Sequence, residues 1–245
     1  MTMTTAAIIQ ARMGSTRLPG KVLMPLGGRP ALDHVIERVS AAKTVDRVVI
    51  ATTTSASDDP IADYCSQKNI ACARGSEDDV LSRYIDAMRL YPSDIVVRIT
   101  ADCPLTDPAL IDEVVSALKA DSTLDYHSNT LPPRRIPHGL DVEAFRSFIL
   151  ERAGREATRL DEREHVTPYI YRHPELFRIT QAILPTDLSG YRLTLDTQAD
   201  WRLLNLMLNE LSRGQFSWQA SLALLEAHPD WVLLNATIIQ KSVAK

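Results

Sequence analysis

Short apolar runs alternate with longer amphipathic segments over the first 120 residues. Each run is mostly apolar, which is typical of strands that are buried on both faces. The four runs span residues 5–10, 48–51, 70–73 and 94–99. After the runs, apolar residues recur at helical spacing, and Pro30, Pro60 and Pro108 stand where helices can begin. The pattern therefore predicts a three-layer α/β fold, a mostly parallel sheet covered by helices on both faces, with a ligand site at the carboxyl ends of the strands.

The regular alternation stops near residue 121. We expect one domain over residues 1–245, with an irregular, proline-rich subregion over residues 121–190. Within it, Asp161 and Glu164 predict a capping box for a helix that continues to about Arg172. Short strands are expected over residues 177–184 and 191–195, and amphipathic helices over residues 198–212 and 218–226.

Two acidic segments are predicted to begin helices. In GSEDDVLSRY, Ser76 is the expected N-cap, and Asp78 and Asp79 are expected in the first turn, where carboxylates complement the helix dipole. In GLDVE, Asp141 is expected to cap a helix that starts nearby.

The loop QARMGSTRLPGK, residues 10–21, follows the first predicted strand and combines cations with turn-forming residues. It predicts a phosphate-binding cradle, because three cations on a turn can surround one polyanion while a hydroxyl and backbone N–H groups add hydrogen bonds. The candidate nucleotide-binding residues of the loop are Ala11, Arg12, Gly14, Ser15, Arg17 and Lys21. Because Val22 follows Lys21 and no G-x-G-x-x-G is present, the Walker A and dinucleotide motifs are excluded. A solvated basic loop is the alternative.

The net charge and its distribution along the chain indicate which class of ligand the protein binds. The formal net charge is −4, whereas proteins that bind nucleic acid or anionic membranes generally need a net basic field. Residues 12–47 nevertheless hold seven Lys or Arg against three Asp or Glu. This contrast favours a small anionic ligand bound at one place, and we expect neither nucleic acid nor a membrane as a partner.

Cysteine usage and apolar run length favour a soluble, unprocessed, cytoplasmic protein. Cys65, Cys72 and Cys103 are odd in number and contain no C-x-x-C pair, so neither a disulfide framework nor a zinc site is indicated. The start of the chain lacks a basic segment and a secretory apolar core, and no apolar stretch approaches the roughly 18 residues of a membrane span.

Asp102 and Asp196 each follow a predicted apolar strand. At such a position Asp102 can hold Mg²⁺ against phosphate oxygens, or it can cap a local turn beside Pro104. For Asp196, the residues alone are explained equally well by a Mg²⁺ ligand and by a helix N-cap. Asp200 is explained as a charge in the first turn of that helix.

The segment ARMGSTRLPGKVL, residues 11–23, closely resembles the signature of the CMP-sugar synthetases. Further blocks extend a resemblance to the cytidylyltransferase-like proteins of spore-coat polysaccharide synthesis from residue 8 to residue 201; they are GSEDDVLSRY, VRITADCPLTDP, HGLDVEAF, REHVTPYIY and LTLDTQADW. The resemblance implies a nucleotide-diphospho-sugar transferase (Rossmann-like) sheet, CTP as substrate and Mg²⁺ as cofactor. It also implies a homodimer, for which residues 121–190 are the expected contact region.

The resemblance implies roles for individual residues as well. The candidate catalytic residues are Arg12, Lys21 and Asp102, and the candidate Mg²⁺ ligands are Asp102 and Asp196. Ser76 and Arg83 correspond to a segment over the cytosine and ribose, although a helix cap and a solvated helix face explain them equally well.

His165 and Tyr169 are four residues apart and are therefore expected on one face of the predicted helix. The resemblance places them beside the acceptor, together with Asp141. The alternative is a buried, hydrogen-bonded histidine with a packing tyrosine.

We hypothesise a CTP-dependent nucleotidyltransferase, in which a hydroxyl of an acidic sugar or a similar acceptor attacks the α-phosphorus and pyrophosphate leaves. The alternatives are a glycosyltransferase of the same fold and a non-catalytic nucleotide-binding subunit. The sequence does not identify the acceptor. It also leaves open the roles of Arg134, Arg135, Glu143 and Arg163.

Overall fold

A computed structural model describes residues 3–211 and 217–239. The strands are β1 Thr5–Gln10, β2 Pro25–Leu26, β3 Arg29–Pro30, β4 Arg47–Thr53, β5 Ala71–Gly75, β6 Ile95–Thr100, β7 Tyr126–Ser128, β8 Glu143–Arg146 and β9 Ile179–Gln181. The helices are α1 Ala31–Ser40, α2 Asp59–Gln67, α3 Val80–Leu90, α4 Pro108–Ala120, α5 Ser147–Glu156, α6 Leu160–His165, α7 Pro168–Arg172, α8 Gln198–Glu210, α9 Trp218–Ala227 and α10 Pro229–Val232. Within these described ranges, none of the helices has the length and apolar character needed to cross a bilayer.

A central sheet has the strand order β5-β4-β1-β6-β8-β7-β9. The first four of these strands are parallel, whereas β8 runs antiparallel to both β6 and β7. Gln10 pairs with Ala51 on one side and with Thr100 on the other, so β1, β4 and β6 point toward the same edge of the sheet. The prediction of a mostly parallel sheet is confirmed.

The two faces of the sheet bury separate apolar clusters. On β1, Ile9 packs in the cluster that contains Val35 of α1 and Val114 of α4. Its neighbour Ile8 points the other way, into the cluster that contains Tyr84 of α3 and Phe145 of β8. Because adjacent strand residues face opposite sides, a continuous apolar run is what a sheet covered on both faces requires, and the three-layer prediction is confirmed.

Helix α3 begins later than predicted. Asp79 is its N-cap, and the Asp79 carboxylate accepts a hydrogen bond from the Ser82 N–H at 2.9 Å. The Ser76 hydroxyl instead accepts from the Asp79 N–H at 3.1 Å, one turn before the helix. The predictions of Ser76 as the N-cap, and of Asp78 and Asp79 in the first turn, are therefore wrong.

The helix predicted from Asp161 to Arg172 is broken into α6 and α7. Pro168 lacks an N–H and fits only the first turn of a helix, so the chain must restart there. Before it, Val166 has a φ of +73°, and the Thr167 N–H donates to the His165 carbonyl at 2.9 Å. This γ-turn has the rare, strained positive-φ form. The Glu162 carboxylate accepts from the Arg159 N–H at 3.3 Å, which replaces the predicted Asp161–Glu164 capping box.

Four further predictions are corrected after residue 140. Glu143 begins strand β8, where a helix capped by Asp141 was expected. Residues 191–195 form no strand, and pair only through an isolated bridge between His138 and Arg192. The strand predicted over residues 177–184 shortens to β9 at the sheet edge. The helix predicted over residues 198–212 ends at Glu210, and its expected last residue, 212, lies outside the described residues.

Candidate active site

The carboxyl ends of β1 and β6 open into a cleft of about 930 Å³. Its wall contains most of the residues predicted for the site: Ala11, Arg12, Ser15, Arg17, Lys21, Arg83, Asp102, Asp141, His165 and Asp196. Gly14, Ser76 and Tyr169 are not part of this wall. The parallel sheet thus brings together segments that are as much as 185 residues apart in the chain, from Ala11 to Asp196.

Hydrogen bonds hold the loop of residues 11–21 in one shape. The Met13 carbonyl accepts from the Ser15 N–H at 2.8 Å and from the Gly20 N–H at 2.9 Å. Gly20 has a φ of +71°, a conformation that glycine adopts at little cost. The buried carboxylate of Asp58 accepts from the Met13 N–H at 2.7 Å. The loop therefore depends on an acid that sequence analysis did not single out.

Lys21 joins the two predicted metal ligands. Its Nζ lies 2.8 Å from Asp102 Oδ2 and 2.7 Å from Asp196 Oδ1, and its side chain is only 11% exposed. Asp102 is further held by the Thr100 hydroxyl, which donates to its Oδ1 at 2.5 Å. The Leu195 N–H donates to the Asp102 carbonyl at 2.7 Å, which fixes the two acidic segments side by side.

Mutual attraction determines the ionisation of Lys21 and Asp102. Burial alone would lower the pKa of Lys21, but the charges and hydrogen bonds of Asp102 and Asp196 outweigh it and raise that pKa above 10.5. Burial opposes ionisation of Asp102 in the same way, and Lys21 outweighs it and lowers the pKa of Asp102 to about 2. Lysine and aspartate are therefore both charged at neutral pH.

Asp196 lies among three cations. Besides Lys21, its Oδ2 lies 2.9 Å from Arg17 and 2.8 Å from Arg192. Arg17 lines the cleft with 30% of its side chain exposed, whereas Arg192 lies behind Asp196 and is 7% exposed. Asp196 is not a helix N-cap, because Thr197 caps α8 and forms a capping box with Asp200. The sequence alone does not identify Arg192, because its pairing with Asp196 and Asp200 is recognisable only in the folded chain.

The arrangement of Asp102 and Asp196 fits a bound divalent cation. Carboxylate oxygens from both residues converge on the single Nζ of Lys21, so one small cation can reach both. Within residues 3–211 and 217–239, no group of three or more His, Cys, Asp or Glu residues is placed to hold a metal alone. Two carboxylates without further protein ligands suit Mg²⁺, which typically takes its other ligands from water and substrate phosphates.

Arg98 on the cleft wall belongs to a buried ion pair. Arg98 pairs with Glu143, whose second oxygen accepts from the Tyr126 and Thr167 hydroxyls at 2.6 Å each. His165 lies beside this pair on the cleft wall. Burial lowers the pKa of His165 below 6.5, so the imidazole is neutral at neutral pH and can donate or accept one hydrogen bond.

Tyr169 does not lie with His165. The break before α7 turns its ring into the apolar cluster, where it packs 4.6 Å from the His173 ring and 6.0 Å from the Phe177 ring. Its hydroxyl donates to Glu156 at 2.5 Å. The prediction that His165 and Tyr169 share one helical face is wrong, and Tyr169 has the packing role that was the stated alternative.

The arginines whose roles the sequence left open all have partners. Arg134 pairs with Asp141, and Arg163 pairs with Asp79. Arg135 donates to the Pro185 carbonyl at 2.8 Å.

Arg83 and Ser76 are in contact with each other. Arg83 is 2% exposed, and it donates to the Ser76 carbonyl at 2.6 Å while lining the cleft. It is therefore not on a solvated helix face, contrary to that alternative.

The fold and the cleft are those of an α/β nucleotidyltransferase. A sequence model of the family described as cytidylyltransferase matches residues 6–209. The chain belongs to the cytidylyltransferase family.

Individual relatives agree with this assignment. The spore coat polysaccharide biosynthesis protein SpsF of Bacillus subtilis is 35% identical over 231 residues, which cover 91% of this chain and 94% of that protein. The solved structure of a cytidylyltransferase from Leptospira borgpetersenii serovar Hardjo-bovis is 33% identical, with a TM-score of 0.91, over 98% of this chain and 100% of that one. A 3-deoxy-manno-octulosonate cytidylyltransferase of Geobacter metallireducens is 33% identical over 122 residues, half of this chain and 47% of that enzyme.

Proposed function

We propose that this protein transfers CMP from CTP to a hydroxyl of an acidic sugar or a similar acceptor and releases pyrophosphate. The observation that carries the proposal is the bridge of Lys21 between Asp102 and Asp196 in the cleft, beside the loop of residues 11–21. Similarity to a spore coat polysaccharide biosynthesis protein supports a role in making surface polysaccharides or glycoconjugates. A cytoplasmic location is part of the proposal and accords with three cysteines that form no disulfide.

In the proposed reaction, the acceptor oxygen forms a bond to the α-phosphorus while the bond from that phosphorus to the pyrophosphate oxygen breaks. Arg12, Arg17 and Lys21 offset the charge on the triphosphate and on the leaving pyrophosphate, and Ser15 adds a hydrogen bond. The protein contributes mainly positioning and charge, which is typical of enzymatic phosphoryl transfer.

We further propose that Mg²⁺ is the cofactor and that Asp102 and Asp196 hold it. When bound, the ion would offset phosphate charge and lower the pKa of the attacking hydroxyl. In the structure, Lys21 occupies the space between the two carboxylates. A triphosphate provides competing negative charge, so we expect the Lys21 ammonium to turn toward the phosphates and free carboxylate oxygens for the ion.

The acceptor is proposed to bind between His165, Asp141 and Arg98, because these groups line the cleft together with Asp102. Arg83 and the segment at Ser76 are proposed to contact the cytosine and ribose. We also propose a homodimer with contacts from residues 121–190.

Incubation with CTP, Mg²⁺ and a panel of acidic sugars tests the function. Pyrophosphate release that depends on one acceptor is the expected result. Turnover of a nucleotide sugar without any use of CTP would instead identify a glycosyltransferase. CTP binding that Asp102→Ala leaves intact, in a protein without turnover, would identify a non-catalytic subunit.

A further inference from the structure

The C-terminal part of the chain reaches the metal side of the cleft through one buried side chain. The family match ends at residue 209, and helices α9 and α10 follow it. Just beyond α10, Asn235 is only 3% exposed. Its side-chain Nδ2 donates to Asp200 Oδ1 at 2.9 Å and to the Arg192 carbonyl at 3.1 Å. A residue outside the matched region therefore contacts both members of a buried ion pair.

Asp200 links the Asn235 contact to the backbone of Asp196. Its fully buried carboxylate accepts from Arg192 Nε at 2.8 Å and from Arg192 Nη2 at 3.1 Å. It also accepts from the backbone N–H groups of Asp196 at 3.1 Å and Thr197 at 2.9 Å. A single carboxylate thus fixes both the guanidinium of Arg192 and the start of the segment that carries Asp196.

Arg192 controls the Asp196 side chain. Its Nη2 donates to Asp196 Oδ2 at 2.8 Å, while Asp196 Oδ1 faces Lys21. Arg17 and Lys21 line the cleft, so a triphosphate can draw them away from Asp196, whereas Arg192 lies outside the cleft wall. Arg192 is consequently the cation that stays on Asp196 when a nucleotide is bound.

We propose that Asn235 is a positioning residue that acts through Asp200 and Arg192 to orient Asp196 toward the metal. This inference rests on the proposed function, because it assumes that Asp196 is a metal ligand. Without the Asn235 amide, Asp200 Oδ1 keeps only its bond to Arg192 among the contacts described for it. The ion pair can then shift, and the Asp196 oxygens spread over more orientations. Partners behind a metal ligand typically contribute about 10- to 100-fold to metal affinity or activity.

The test compares Asn235→Leu and Asn235→Ala with Thr237→Ala in the full-length protein. Thr237 is an exposed residue of the same segment and serves as the matched control. Electron paramagnetic resonance measures Mn²⁺ binding in the presence of CTP, steady-state kinetics separates kcat from KM, and thermal unfolding reports stability. Because the Mn²⁺ measurement needs no acceptor, it does not depend on turnover.

For both Asn235 variants we expect about 10-fold weaker Mn²⁺ binding and about 10-fold lower kcat, with KM for the acceptor unchanged. Thr237→Ala should match the wild type. Equal Mn²⁺ affinity in wild type and Asn235 variants overturns the positioning role, even if the unfolding temperature falls. Failure of the wild type itself to bind Mn²⁺ with CTP counts against the proposed function instead. Leucine and alanine both lack the amide but differ in size, so comparing the two Asn235 variants separates loss of the amide from poor packing.

Discussion

Lys21 stays charged in a nearly buried position because two carboxylates surround it. A buried lysine without anionic partners would lose much of its charge, since burial disfavours the ionised form. Here Asp102 and Asp196 reverse that effect and raise the pKa of Lys21. The residue therefore keeps a full positive charge inside the cleft, from which we expect it to turn toward the phosphates.

Replacement of Lys21 should reduce catalysis strongly. We expect Lys21→Ala to lower kcat/KM for CTP by about 100-fold or more, because it removes a preorganised charge that stabilises the transition state. Pyrophosphate release measures the rate. Lys43→Ala is the matched control, since Lys43 is exposed and does not line the cleft. An unchanged rate in Lys21→Ala would mean that the loop does not act on the phosphates.

Asp79 links two helices at the mouth of the cleft and should make stability depend on pH. Burial opposes its ionisation, but the hydrogen bonds and charge of Arg163 on α6 outweigh it and hold the pKa of Asp79 below 3.8. A lowered pKa in the folded state gives stability that is present above the ordinary pKa and is lost as pH falls through the folded value.

Asp79→Asn keeps an oxygen for the cap of α3 and removes the ion pair. We expect it to lower the free energy of unfolding at pH 6 by up to about 1 kcal/mol, because such a partly exposed pair is screened by solvent. Below about pH 4 the difference from wild type should shrink. Urea unfolding at pH 6 and pH 3 measures both values, with the exposed Asp78→Asn as control. A difference as large at pH 3 as at pH 6 would contradict this origin.

Substitutions at two glycines with positive φ distinguish the cost of backbone strain from the cost of steric overlap. Gly28 has a φ of +83° with open space around it, whereas at Gly139, with a φ of +99°, an added Cβ would lie 2.4 Å from the Leu193 backbone. We expect Gly28→Ala to cost about 1 kcal/mol of stability, and Gly139→Ala about 3 kcal/mol or more because overlap adds to strain. Gly139→Ala should also reduce activity, since Leu193 precedes Asp196. Equal losses in urea unfolding would contradict the packing at Gly139.

The elements that the sequence predicted correctly are those whose signal is local. Strands β1, β4 and β6 contain apolar runs, and the loop of residues 11–21 follows the first of them directly. Strand β8 was expected to be a helix start because Asp141 fits an N-cap. The strand can bury the charge of Glu143 because Arg98, 45 residues away, lies opposite it on β6. The Arg192–Asp200 pair and its contact with Asn235 depend equally on tertiary structure.

Other errors came from local signals that were weighed incorrectly. Pro168 marks a helix start that the longer Asp161–Arg172 pattern concealed. At the start of α3, the Asp79 side chain reaches the Ser82 N–H and competes successfully with Ser76 as the cap. Both cases show that helix boundaries in the acidic and proline-rich segments depend on which of several nearby caps is made.

At the level of the whole molecule, the subregion of residues 121–190 exposes apolar side chains that a second copy could cover. Phe148 is 62% exposed and Leu160 is 87% exposed. We expect light scattering to give twice the chain mass of 27.3 kDa, and Phe148→Asp to shift the mass toward the monomer because it places charge in an apolar contact. A wild-type mass of 27.3 kDa would contradict the proposed homodimer.

The whole cleft exists because parallel strands end at one edge of the sheet, where Lys21, Asp102 and Asp196 meet. CTP labelled with ³²P at the α-phosphorus tests directly whether this site transfers CMP. With Mg²⁺ and the correct acceptor, we expect the label in an acceptor–CMP ester and unlabelled pyrophosphate in equal amount. A label that stays in CTP with every acceptor, while a nucleotide sugar is consumed, would contradict the account.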